Sequence, residues 1–183
     1  MNTERFVRHL EKQDDEVWVR YSRIVDMARS INTNQMLKEV TRMHQSRSSR
    51  RLMLKDHITA DALIKANLEE MSYRSTLVDI NVKASKLHRK LSIALDATTN
   101  HITANYFAYL KETAGLRAKT DVITFVEALL SDGWDYHSRL DYVMDVCKQV
   151  IGDIDQAGWS MNRSVELMRI VAARESVIKQ ASI

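Results

Sequence analysis

From Leu77 onward, mostly apolar positions recur at alternating intervals of three and four residues: Leu77, Ile80, Ala84, Leu87, Leu91, Ala94 and Thr98, then Ile102, Tyr106 and Tyr109. Such a heptad series predicts a long helix that packs lengthwise on another helix. Gly115 stands where a left-handed residue would close it near Ala114. A second series follows Trp134 with the same intervals: Leu140, Val143, Cys147, Val150 and Ile154. The two stripes can cover each other as an antiparallel pair within one chain, or either can pair with another copy.

Shorter segments flank these two. Thr3 is placed to cap a first helix whose apolar positions are Phe6, Leu10, Val17, Tyr21, Ile24 and Ala28, with one longer gap across Gln13 to Glu16. Asn32 or Thr33 starts a second, with Met36, Leu37, Val40 and Met43 on one face. It runs into the polar stretch from Gln45 to Arg51, which reads as a loop, a frayed helix end or a linker and marks a boundary. Thr59 caps a helix holding Leu63, Ala66, Leu68 and Met71, with a break expected near Ser72 to Ser75. Thr120 caps a helix burying Val122, Phe125, Val126 and Leu129, which Ser131-Asp132-Gly133 would end. Gly158 is expected to stop the second long helix, Ser160 to cap a last one through Val165, Met168, Val171 and Ala172, and that helix to fray toward Ile183.

Composition supports the same picture. The 183 residues hold no proline and four glycines, so little punctuates a helix and the turns that sheets require are missing. The expected fold class is all-α. A single cysteine excludes an internal disulfide and suits a reducing compartment. The stretch from Met1 to Leu10 is charged where a signal peptide needs an apolar run, and no run approaches a membrane span. A cytoplasmic location is the expectation, in the bacterial host if the chain is phage-encoded. Charge is polarised along the chain: residues 1–120 hold 21 basic against 14 acidic residues, +7; residues 121–155 hold two against eight, −6; and residues 156–183 hold four against two, +2. A basic front half suggests an anionic partner.

Several chemistries are not supported. The glycines form no phosphate-binding loop, and the only Gly-x5-Gly pair, Gly152 and Gly158, lacks a following Lys-Ser/Thr. The histidines (His9, His44, His57, His88, His101, His137) are scattered without the three- or four-residue spacing of a helical metal site. Glu69-Glu70, and Asp153 with Asp155, read as solvated charges rather than acid/base pairs. Cys147 lies on an apolar seam, where a thiol is a small hydrophobe and not a nucleophile. No catalytic residue, metal or cofactor is expected.

Two basic clusters stand out. Lys38, Arg42, Arg47, Arg50, Arg51 and Lys55 form one; Lys83, Lys86, Arg89 and Lys90, beside His88, form the other. Lys83, Lys86 and Lys90 make one stripe along a helix, either a track for phosphates or a solvated face. Aromatics and further cations follow: Tyr106, Phe107 and Tyr109, then Lys111, Arg117 and Lys119. Rings beside cations are how proteins hold single strands, although Tyr106 and Tyr109 could equally close the seam.

The order of these features resembles the UvsY-type recombination mediators of tailed phages, over about residues 58–176. The likeness rests on the opening Asp61-Ala62-Leu63, the basic helix from Lys83 to Lys90 and the stretch Tyr106-Phe107-Ala108-Tyr109. It is closest in the run Leu140-Asp141-Tyr142-Val143-Met144-Asp145-Val146-Cys147-Lys148-Gln149-Val150-Ile151, continuing through Gly158 to Val165-Glu166-Leu167-Met168. The resemblance implies an all-helical subunit that assembles through its C-terminal helices as a homo-oligomeric ring of about six or seven copies. It further implies binding to single-stranded DNA and loading of a RecA-like recombinase onto strands covered by single-strand-binding protein. Asn100-His101-Ile102 stands where the family has a Lys-x-Arg element, and residues 1–57 have no counterpart.

The expected organisation is therefore a basic N-terminal extension, 1–57, and a helical core, 58–183. Within the core, 58–120 would bind DNA through Lys83, Lys86, Arg89, Lys90, Tyr106, Lys111, Arg117 and Lys119, assisted by Arg47, Arg50 and Arg51. Residues 121–183 would oligomerise through Leu140, Val143, Cys147, Val150 and Ile154. The competing reading is a helical adaptor or phage assembly protein with no nucleic-acid role. Duplex recognition by the segment from Met36 to Arg51 lacks a helix-turn-helix spacing, and Asp14, Asp15 and Glu16 interrupt the first helix as a membrane-surface element.

Overall fold

Residues 3–52 and 57–181 are described by the computed structural model, with side chains to Val177; Lys55 of the first basic cluster and the end at Ile183 lie outside them. Every regular element among the described residues is an α-helix: α1 (Thr3–Lys12), α2 (Glu16–Ser30), α3 (Thr33–Gln45), α4 (Ser48–Leu52), α5 (Ala60–Asn105), α6 (Phe107–Ala114), α7 (Lys119–Leu129) and α8 (Ser131–Ala181). None is long and apolar enough to cross a membrane. The chain forms two compact units, the first from residues 1–33 and 83–143, the second from 34–82 and 144–183. The cuts at 82/83 and 143/144 fall inside α5 and α8, so they do not follow the boundary expected at 57/58.

In the first unit, the single opening helix expected from periodicity is two. Asp14 sits at φ 48°, a left-handed conformation that aspartate tolerates better than most side chains. The Asp15 carboxylate then caps α2, accepting from Val17 N at 3.1 Å and Trp18 N at 3.0 Å. Phe6 and Leu10 of α1 are fully buried, as are Leu91, Leu95 and Ile102 of α5 and Val122 and Val126 of α7, with Leu87 nearly so. Phe6 meets Tyr106 edge-on at 5.5 Å and Phe125 at 5.7 Å. Tyr106, at φ −112° and ψ 7°, divides α5 from α6, and Gly115 ends α6 at φ 69° as expected. Thr120 does not cap α7. Ala118 holds the cap position, where its methyl offers no acceptor, and Asp121 Oδ2 reaches back to its N–H at 3.0 Å.

Ser131-Asp132-Gly133 is the first turn of α8 rather than a break; one residue, Leu130, separates α7 from α8. Gly133 is there because of what lies opposite. A Cβ at that position would stand 2.6 Å from Tyr21 Oη and 2.9 Å from Leu95 Cδ2. Tyr21 is buried and donates its hydroxyl to the Leu130 carbonyl at 3.4 Å, and burial pushes its pKa up to about 12.

In the second unit, α5 runs unbroken past Ser72 to Ser75, starting from the expected cap: Thr59 Oγ1 accepts from Ala62 N at 3.2 Å. α8 likewise passes through Gly158 and Ser160 without stopping. A helical glycine costs only about 1 kcal/mol relative to alanine, while Cys147, Val150, Ile154, Met161 and Val165 bury one face of α8 across both glycines. Asn67 to Asn162 and Arg74 to Asp155 step along α5 and α8 in opposite directions, so the helices are antiparallel here. Leu52, Leu63, Ala66, Met161 and Val165 form the core at this end.

Two of the helical glycines give opposite predictions. Gly152 has open space where a Cβ would stand, so Gly152→Ala should raise stability by about 1 kcal/mol, while Gly133→Ala should lower it by about 1–3 kcal/mol through the clash with Tyr21 and Leu95. Urea midpoints of the two variants measure both signs.

Candidate nucleic-acid interface

Lys83, Lys86, Arg89 and Lys90 occupy just over two turns of α5 in the first unit, and all four are exposed. Their helix is held from behind by Ala84, Leu87 and Leu91, which are buried. None of the four pairs with a carboxylate among the described residues. Lys111, Arg117 and Lys119, at the end of α6 and around the turn into α7, are exposed in the same unit and likewise unpaired among the described residues. At 332/(εr), cations left unpaired in water repel one another only weakly, and salt screens them further. A polyanion gains from all of them together.

Four of the other expected contacts have different surroundings. Tyr106 is not presented as a stacking platform: it is half-buried, and its hydroxyl donates to Asp15 Oδ2 at 2.7 Å. Burial, with that carboxylate beside it, pushes its pKa up to about 12. Burial alone would raise the Asp15 carboxyl, but hydrogen bonds from Tyr106, Trp18 N and His101 carry it below the usual carboxylate value. His101 Nε2 lies 2.7 Å from the same oxygen, and Tyr109 stacks on His9 at 4.1 Å. The aromatic stretch thus closes α1 and α2 onto the α5–α6 junction.

Arg47 is 4% exposed, which takes it out of reach of a strand. Its guanidinium donates to Glu70 Oε2 at 3.1 Å and to the Asp153 carbonyl at 2.8 Å, and Glu70 Oε1 accepts from Ser49 N at 2.8 Å. Ser48 donates to Glu69, which also pairs with Arg51 at 3.7 Å. The stretch expected as a linker is therefore an anchor on α5, and Glu70, expected to be solvated, is fully buried. A charge accepts burial only with this degree of pairing. Arg50 remains exposed, with Nη2 2.7 Å from His44 Nε2. Both Arg50 and Arg51 belong to the second unit.

Leu140, Val143, Cys147, Val150 and Ile154 are at most 4% exposed within a single chain. They are core, so the expected assembly seam is closed internally and cannot also face another copy in this fold. Burial pushes the Cys147 thiol up to about 11, in keeping with an inert side chain. The acidic stretch is also largely satisfied inside the chain: Asp132 meets Arg29 at 2.5 Å, Asp153 lies beside Arg47, and Asp155 meets Arg74 at 2.6 Å. Among the described residues no three donors are grouped to hold a metal ion.

Behind the cation stripe, the His88 ring stacks on His137 at 3.9 Å, with Trp134 edge-on to His137 and Asp141 3.9 Å from His88 Nε2. Burial and then the neighbouring His88 lower the pKa of His137, against opposing attraction from Asp141 and Asp96. A histidine held below its unfolded value of about 6.5 stabilises the fold above that pH and ceases to do so as pH falls through it. Urea midpoints should therefore drop between about pH 7 and pH 5, and His137→Gln should flatten part of that drop. An unchanged slope would separate His137 from the effect.

Sequence reasoning missed one feature beside the stripe. Met27 of α2 and Ile93 of α5 are 47% and 54% exposed on the walls of a common groove. The signal was a second row on α5, Met71, Val82 and Ile93 on the side away from the buried stripe, passing through Lys86 and Arg89. Comparison of the chain with known protein families, with curated proteins and with solved structures gives no match.

Proposed function

We propose that this chain is a non-catalytic mediator of DNA recombination, which binds single-stranded DNA and helps load a RecA-like recombinase onto strands covered by single-strand-binding protein. The observation that carries it is the run of exposed cations Lys83, Lys86, Arg89 and Lys90 on one helix, without carboxylate partners among the described residues, with Lys111, Arg117 and Lys119 in the same unit. The recombinase and single-strand-binding protein as partners follow from the family resemblance. Binding would rest on phosphate contacts and release of counterions, without base stacking by Tyr106.

For single strands, neutralising four phosphates makes affinity fall about fiftyfold between about 50 and 200 mM salt. We expect that dependence for a labelled oligo-dT read by fluorescence anisotropy. Changing Lys83, Lys86, Arg89 and Lys90 together to Glu should remove most of the affinity and flatten the salt response. Salt-independent binding by the wild type, or full retention by the quadruple variant, would sink the proposal.

Self-association, as a ring or otherwise, would have to use surface other than the Leu140 to Ile154 seam. Trp159, Leu167, Ile170 and Val177 of α8 are exposed and apolar. The same residues favour the second reading, a helical adaptor or phage assembly component without a nucleic-acid role. In that case the quadruple variant would assemble normally and the wild type would ignore oligonucleotides.

A further inference from the structure

The groove between α2 and α5 in the first unit combines an apolar floor with an excess of basic side chains. It encloses about 730 Å³, and Ile24, Met27 and Ile93 are the largest aliphatic side chains of its lining, with Val17, Val19, Ala94 and Ala97 beside them. Burying such side chains is favourable by about 25 cal/mol per Å², so half-exposed Met27 and Ile93 are surface that a partner could profitably cover. Around them stand Arg20, Arg23 and Lys90, all exposed and without a carboxylate partner among the described residues; Glu16 is the only acidic residue lining the groove.

The neighbouring groove on the other side of α2 shows the contrast. It carries Arg8 and Arg29 together with Glu4, Glu11, Asp26 and Asp132, and Arg29 is bound to Asp26 and Asp132. Its charges are balanced from within the lining. Those of the α2/α5 groove are not.

We infer that the α2/α5 groove receives an acidic amphipathic helix from a partner protein, its apolar face on Ile24, Met27 and Ile93 and its carboxylates meeting Arg20, Arg23 and Lys90. Two helical walls offer ridges and grooves into which a third helix packs, with anchors at i, i+3 or i+4, and i+7. The lining runs from Glu16 to Met27 along α2; at 1.5 Å per residue this is about 16 Å, or three turns of a bound helix. A nucleic-acid strand fits the groove less well, because its backbone would cross an apolar floor and only three cations. Lys90 belongs to both surfaces, but the inference does not rest on the DNA reading.

The test uses the full chain and a fluorescein-labelled synthetic peptide of about twelve residues, with Leu and Phe on one helical face and Asp and Glu elsewhere. Two controls are a peptide of the same composition with its apolar residues scattered around the helix, and an oligo-dT. The amphipathic peptide should bind, and the scattered peptide about tenfold more weakly or worse. Ile93→Asp and Met27→Asp should each weaken peptide binding about tenfold or more while leaving oligo-dT affinity unchanged. Ile93→Ser and Met27→Ser check that the loss follows from the lost contact if an aspartate variant misfolds, as judged by circular dichroism. Absence of peptide binding, equal binding of the two peptides, or indifference to both the Asp and Ser variants overturns the inference. A loss of oligo-dT binding on Ile93→Ser would overturn it in favour of a strand in the groove.

Discussion

Val143→Asp and Val150→Asp are each expected to unfold the chain, with loss of most helical circular dichroism at temperatures where the parent is fully folded. Val143 is fully buried and Val150 nearly so. Each substitution forfeits about 1.5–3 kcal/mol of apolar burial and places a carboxylate where it has no partner, at a further cost of several kcal/mol. A domain stable by about 5–15 kcal/mol does not absorb both terms easily. The same residues at an interface between copies would respond differently: the oligomer would dissociate and each subunit would keep its helices. Light-scattering mass measured alongside circular dichroism distinguishes the two, and a variant that stays helical while losing mass would contradict burial within one chain.

The second large effect is expected at Glu70. Glu70→Ala removes the carboxylate that faces Arg47 and accepts from Ser49 N, leaving a buried guanidinium with the Asp153 carbonyl at 2.8 Å and the Asp153 carboxylate at 3.7 Å. Breaking one side of a buried pair costs about 3–5 kcal/mol, whereas replacing both sides by apolar residues is often neutral. Arg47→Met combined with Glu70→Leu should therefore recover most of the stability lost by Glu70→Ala. A double-mutant cycle by urea unfolding gives the coupling directly. Near-additive single and double variants would show that the pair does not hold the segment leading into α4 to α5.

The repeating interval of three and four made the two long helices legible, because a buried stripe on a helix leaves that spacing whatever else it packs on. Thr59 and Gly115 were legible for an equally local reason, since a cap acts on the helix that begins or ends at it. Gly133 and Gly158 misled because a glycine inside a helix carries its meaning in the opposing side chain, Tyr21 or Asn67, and that neighbour lies far away in the chain. Thr120 misled because a threonine near a helix start signals a cap only if the backbone turns there, and Asp121 did the capping instead.

Charged residues were the least readable part of the candidate site. Arg47 and Arg50 are three positions apart in one polar stretch, yet one is sealed in the second unit and the other is exposed. Nothing in their local sequence separates them; the difference is made by Glu70 on α5. The cations of α5 were readable because the apolar stripe behind them fixes which way they point.

The discontinuity of the first unit sets an order of events during synthesis. α1 and α2 leave the ribosome well before the residues that complete them: Tyr21 needs the Leu130 carbonyl and Arg29 needs Asp132, more than a hundred residues later. At about 5–20 residues per second, the earliest helices wait roughly 5–20 seconds for their partners. During that interval Phe6, Leu10, Trp18 and Val25, buried in the finished fold, are bare to the surrounding solution, so α1 and α2 are exposed to aggregation for as long as their partners are missing.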